Sequence, residues 1–172
     1  TLTLSAITVP AGGTVNINGT INNTGSTLTL NNATGSWSLN GGTLSGGTLA
    51  FADGKTLIIT NNSSNLLTGV TVNGDLTLST SSARTRISGG TTFTNAHLSG
   101  LSTSLGFAPG QTLSSTVLFE GAGGTRAVEM DGTTGAIIIG ATGVIRTAAG
   151  FTGDGQIGGA FQFGGAMTLS ND

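Results

Sequence analysis

The side chains in this sequence that could carry chemistry are few and stand far apart. His97 is the one histidine and cysteine is absent, so neither a zinc set nor a cysteine–histidine pair can be assembled around it. At an outward position of a strand, in the place that Thr43 and Thr71 hold in other copies of a repeat, it reads as a surface substitution. Glu129 and Asp131 are two residues apart and would share one face of a strand, as paired carboxylates in a sugar-cleaving β-helix would. Arg126 is the one cation close to them in sequence. These three residues are the candidate carbohydrate site. The plainer reading is an acidic pair on a solvated edge, because sugar-cleaving carboxylates are usually surrounded by several cations and aromatic rings.

Aspartates beside glycine, at Asp53, Asp75, Asp131 and Asp154, raise calcium binding. A calcium β-roll repeats its glycine–aspartate signature every nine residues so that successive turns share ions, and GDGQIGG at 153–159 matches it weakly and once. Asp and Gly are also what tight turns demand, so no metal and no cofactor is expected. GAGG at 121–124 and GATG at 140–143 lack the lysine and the following helix of a phosphate loop. Trp37 shares its parity with Leu39, which assigns the ring to the core rather than to sugar stacking. Asn-x-Ser/Thr sequons at Asn18, Asn22, Asn32, Asn61 and Asn62 are expected by chance in a chain so rich in these residues.

The elements that must position these groups are strands. Gly contributes 31 of 172 residues and Thr, Asn and Ser fill the polar positions; Thr favours a pleated sheet, whereas Asn and Gly favour turns. From Leu66 to Thr80 the alternation is strict: Leu67, Val70, Val72, Leu76 and Leu78 face inward, and Thr71, Asn73, Asp75, Thr77 and Ser79 face water. Similar stretches place Ile17, Leu44, Val72 and Leu98 at intervals of 26–28 residues, each followed two positions later by a glycine, Gly19, Gly46, Gly74 and Gly100. A fixed period of this size means a solenoid. The expectation is an all-β parallel β-helix of about six rungs of 20–28 residues, with those four residues as one inward ladder and those four glycines at its turns. The period does not carry through 112–147. Alternation returns at Phe161, Phe163, Met167 and Leu169.

Only 7% of residues are charged, with a net charge of -2, so an electrostatic grip on nucleic acid or an anionic membrane is not expected. No apolar run reaches the roughly 20 residues of a membrane span. Without cysteine, stability must come from stacking. The chain begins at Thr1 with a strand-like segment, the expectation being a mature product or an excised segment, and no linker divides residues 1–172, so a single domain is expected.

GSWSLNGGTLSGGTLAF, LLTGVTVNGDLTLS and AIIIGATGVIRTAAGFTGDGQIGG resemble the β-strand repeats of very large bacterial surface and secreted proteins, similar to autotransporter passengers and haemagglutinin-type adhesins. The resemblance spans most of residues 12–160. It implies a right-handed parallel β-helix, an extracellular or cell-surface location, and a structural or adhesive role without conserved chemistry. The functional expectation is a non-enzymatic segment of a surface fibre, sheath or adhesin stalk. Its partners would be copies of itself or neighbouring repeats, stacked through uncharged terminal strands, with a possible glycan surface along the side. The alternatives are a carbohydrate-binding or carbohydrate-cleaving β-helix and, less favoured, an ice-binding solenoid. The last is suggested by Thr1/Thr3 and Thr27/Thr29, pairs that do not recur at the 26–28-residue period.

Overall fold

The computed structural model describes residues 7–10 and 13–171. Among them there is no helix, and twenty short strands coil around one apolar core as a parallel β-solenoid with three faces. The first face holds β1 (Val15–Ile17), β4 (Trp37–Leu39) and β7 (Leu57–Ile59), continued by β10 (Leu76–Leu78), β12 (Asn95–Leu98), β15 (Thr116–Phe119) and β18 (Val144–Thr147). The second is one seven-stranded sheet: β2 (Thr20–Asn22), β5 (Thr43–Ser45), β8 (Leu66–Thr68), β11 (Arg84–Ser88), β13 (Thr103–Phe107), β16 (Thr125–Met130) and β19 (Asp154–Ile157). The third holds β3 (Thr27–Leu30), β6 (Thr48–Phe51) and β9 (Thr71–Asn73), a lone bridge from Thr71 to Thr92, then β14 (Thr112–Leu113), β17 (Gly135–Ile139) and β20 (Met167–Asn171). Seven strands at about 4.8 Å spacing make a stack on the order of 30 Å long. The chain thus passes the second face seven times, slightly differently from the six rungs expected.

Strands form here because alternation lets each short segment bury one parity. Leu28 and Leu30, Trp37 and Leu39, Leu76 and Leu78, and Leu105 and Phe107 all point into the core and are fully or almost fully buried. The expected position of Trp37 holds: it is buried, and its indole N–H donates to the Thr34 carbonyl at 2.9 Å. Corners are stapled from inside by polar side chains. Asn65, wholly buried, donates to the carbonyls of Thr60 and Arg84, both at 3.0 Å, and accepts the Gly41 amide at 2.6 Å. Thr91 does the same at another corner, and Asn23 donates to the Ser26 and Thr48 carbonyls at a third. Each buried backbone group at a corner that cannot pair within a sheet needs such a partner.

The expected inward ladder is corrected. Ile17, Leu44, Val72 and Leu98 are all buried, but Ile17 pairs with Leu39 on the first face, Leu44 with Ile21 and Leu67 on the second, Val72 with Leu49 on the third, and Leu98 with Leu78 and Phe119 on the first. The true coil is shorter. On the second face Ile21, Leu44, Leu67, Ile87, Phe107 and Met130 succeed one another at 20 or 23 residues. A step of 26–28 residues is one coil plus one face, so it lands each time on an inward site of the next face that looks the same in sequence. His97 is likewise level with Thr77 and Leu118, not with Thr43 or Thr71.

The four glycines differ in role. Gly46 and Gly74 turn corners with φ of 69° and 144°, a region that strains any other residue. Gly100 is packed so tightly against the Ser79 and Thr80 carbonyls that a Cβ has no room, whereas a Cβ at Gly19 would meet nothing. The stretch 112–147, where the period is lost, contains regular strands separated by longer corners. Val128 and Ile157 are 29 residues apart and Ile139 and Asn171 are 32 apart.

The two ends of the stack are unlike. In the first coil Ile17, Leu28 and Leu30 are buried, Ile7 packs against the core, and the Val9 amide donates to Ala33. In the last coil, β18, β19 and β20 are the outermost strands of their sheets, as β1, β2 and β3 are in the first. There the inward-facing Ile157 and Leu169 remain 45% and 49% exposed. The opening segment that carries Thr1 and Thr3 lies outside the described residues.

Candidate functional site

Glu129 lies on the outer parity of β16, level with Gly106, yet it is completely buried. What covers it is the connection between β19 and β20. Four successive amides of that connection, those of Phe161, Gln162, Phe163 and Gly164, donate to the Glu129 carboxylate at 2.9–3.2 Å, and the Ser104 hydroxyl donates to the same group. Consecutive N–H groups converging on one anion form a nest. From this anchor the connection lies back across the second face. The Phe163 ring covers Gly106, where a Cβ would come within 2.6 Å of it, and the Arg86 guanidinium lies 5.6 Å from the ring centroid. The Gln162 side chain accepts from Arg84 Nη1 at 3.2 Å and donates to the Ser102 carbonyl. Residues 158–166 are therefore a strap over three coils.

Arg126 points the other way. It faces the core side of β16, is fully buried, and donates to the carbonyls of Glu120, Gly123 and Ser99, with Phe151 stacked 5.7 Å from its guanidinium. Burial lowers its pKa. Asp131, just beyond β16, accepts from the Thr133 amide and hydroxyl in a tight turn. The candidate carbohydrate triad is thus not brought together: Glu129 and Arg126 are on opposite sides of one sheet and each is consumed by backbone partners. The i, i+2 pairing of Glu129 with Asp131 was legible, but parity could not reveal that a distant strap covers the outer face. Phe161 and Phe163, expected in strand alternation, belong to that strap instead. The signal that marks it is the glycine pair on each side, Gly158–Gly159 and Gly164–Gly165.

A second charged group forms around His97. Its Nδ1 is 3.0 Å from Glu120 Oε1 and its Nε2 is 3.4 Å from Asp75 Oδ2, while Asp75 also accepts from the Asn95 amide and side chain. The histidine was placed correctly as outward, but its two carboxylate neighbours come from adjacent coils and were invisible in sequence. Among the described residues no group of three or more His, Cys, Asp or Glu is arranged to hold a metal ion. At the other end, a cleft of about 410 Å³ runs between Val9–Pro10 and the outer side of the first face, lined with Ser36, Ser38, Lys55 and Ile58.

The third face carries an outward file of Thr27, Thr48, Thr71 and Thr92 in consecutive coils. Threonine recurs singly at the real coil length, whereas the Thr-x-Thr pair of Thr27 and Thr29 does not, as expected. The neighbouring file, Thr29, Ala50 and Asn73, is mixed. Comparison with protein-family models, with curated proteins and with solved structures finds no match.

Proposed function

We propose that this β-solenoid is a non-enzymatic structural segment of a bacterial extracellular fibre, sheath or surface adhesin, working as one link in an axial stack. The observation that carries the reading is the open last coil. β18, β19 and β20 each present an unpaired edge, and Ile157 and Leu169 expose the end of the apolar core. Such an edge templates the addition of another strand, and a further coil laid on it would continue all three sheets at once. Low charge, 7% of residues, opposes this little. The burial of Glu129 and Arg126 supports a structural use of both rather than a sugar site. The experiment is to compare the chain with its Leu169→Lys variant by sedimentation and electron microscopy. Concentration-dependent rods that the lysine abolishes are expected; a chain that stays monomeric at high concentration counts against the reading.

The threonine file favours one second reading, a flat surface that adsorbs to ice. Thermal hysteresis that disappears in Thr71→Lys would support it, and growth of unmodified ice crystals in the presence of the chain would dismiss it.

A further inference from the structure

We infer that the outer side of the second face, around Arg84, Arg86, Gly106 and Glu129, is a peptide-recognition site, filled in an isolated chain by its own strap and able to take the strap of a second copy. The residues beneath the strap read its chemistry part by part. Glu129, oriented by the Ser104 hydroxyl, gathers four main-chain amides at 2.9–3.2 Å. Gly106 provides a flat seat without a Cβ for the Phe163 ring, and the Arg86 guanidinium lies over that ring, 5.6 Å from its centroid. The Arg84 guanidinium and the Ser102 carbonyl take the two ends of the Gln162 carboxamide. The ligand so defined is a short bent segment whose successive amides point to one side, with an aromatic residue directly after a carboxamide residue and glycine following.

Apart from these contacts the strap is held at its ends, where the Gly158 amide donates to Val128 and Ala166 bonds Thr134 and Gly135. Phe161, Gln162 and Phe163 are each only half-buried, and the segment joins no sheet. Glycines bound it on both sides, Gly158 with φ of 83° and Gly164 and Gly165 with φ of 87° and 86°, which allow the chain to swing without side-chain hindrance. An element that is bound in one copy through a hinge at each end is what copies exchange when they are held close together. The contact lies on the side of the solenoid, so it would link neighbouring stacks laterally and does not depend on axial stacking.

Two variants with complementary defects test this. Glu129→Ala keeps a complete strap but destroys its seat, and Gln162→Gly/Phe163→Gly keeps the seat but strips the strap of its side-chain contacts with Arg84, Ser102, Arg86 and Gly106. Mixed, they should form a one-to-one complex in sedimentation velocity that neither forms alone, and a synthetic peptide of residues 159–165, blocked at both ends, should compete with it. The same peptide should bind the double-glycine variant saturably and at least ten-fold more tightly than the unaltered chain, whose own strap occupies the site. No complex and no saturable peptide binding, with β-sheet circular dichroism retained in both variants, overturns the inference, as does equal peptide affinity for variant and unaltered chain. If Glu129→Ala loses its β signal, Glu129→Gln replaces it. If the double-glycine variant does, Phe163→Gly replaces it, with the same outcomes read. Axial association would occur in every sample alike and is removed by carrying Leu169→Lys throughout.

Discussion

At the scale of single residues, this molecule uses buried polar and charged side chains to satisfy backbone groups that a coil cannot pair within a sheet. Asn65 is the clearest case. Truncating it to alanine would leave the Gly41 amide without its acceptor and take one donor from each of the Thr60 and Arg84 carbonyls, at a cost of about 1–3 kcal/mol. Chemical denaturation should show the loss as a lower midpoint with an unchanged slope. Val72, inward between coils and almost fully buried, tests the core itself: Val72→Asp places an unpaired charge there and should cost about 3–4 kcal/mol, with a fall in melting temperature of many degrees. By contrast His97→Ala removes a half-open pair of contacts with Asp75 and Glu120 and should change stability by less than about 1 kcal/mol. A large loss would assign those carboxylates a structural weight that their exposure does not suggest.

At the scale of elements, the strap and the strands beneath it should be separable. Gly106→Ala brings a methyl group within 2.6 Å of the Phe163 ring. The strap is the movable partner, since Gly106 itself is extended backbone inside a seven-stranded sheet. The expected result is faster hydrogen exchange at the amides of residues 161–164, by at least ten-fold, with the protection of β11, β13 and β16 preserved. Uniform loss of protection across those strands would mean that the strap and sheet unfold as one unit. The strap also accounts for the 32-residue step from Ile139 to Asn171: the chain leaves the second face after β19, crosses back over earlier coils, and only then returns to the third face as β20.

At the scale of the whole molecule, stability is a sum over stacked coils, each supported by its neighbours. With no cysteine and Asp-Gly turns that close through Asx contacts such as Asp131 with Thr133, melting should be the same with and without a chelator. A drop of many degrees on chelation would identify an ion in those turns. The asymmetry of the ends predicts that association is governed by the last coil. Ile157→Lys should suppress it as Leu169→Lys does, because both residues face inward at the open end and a lysine there would bring charge into the contact.

Strand, turn and solenoid were legible in the sequence because alternation has a period of two and corners demand Gly and Asn; both are local requirements that each segment must meet by itself. The inward character of Ile17, Leu44, Val72 and Leu98 was readable for the same reason. Which of them stack was not, because a three-faced coil offers three equivalent inward sites per turn, and a spacing of one coil plus one face preserves every local feature while changing the face. That register is decided by pairing between coils, a tertiary matter. So is the fate of Glu129. Parity put it on an outer surface, and only the return of residues 158–166 across three coils, made possible by glycine hinges and rewarded by four amides on one carboxylate, turned an apparent surface acid into the anchor of a strap.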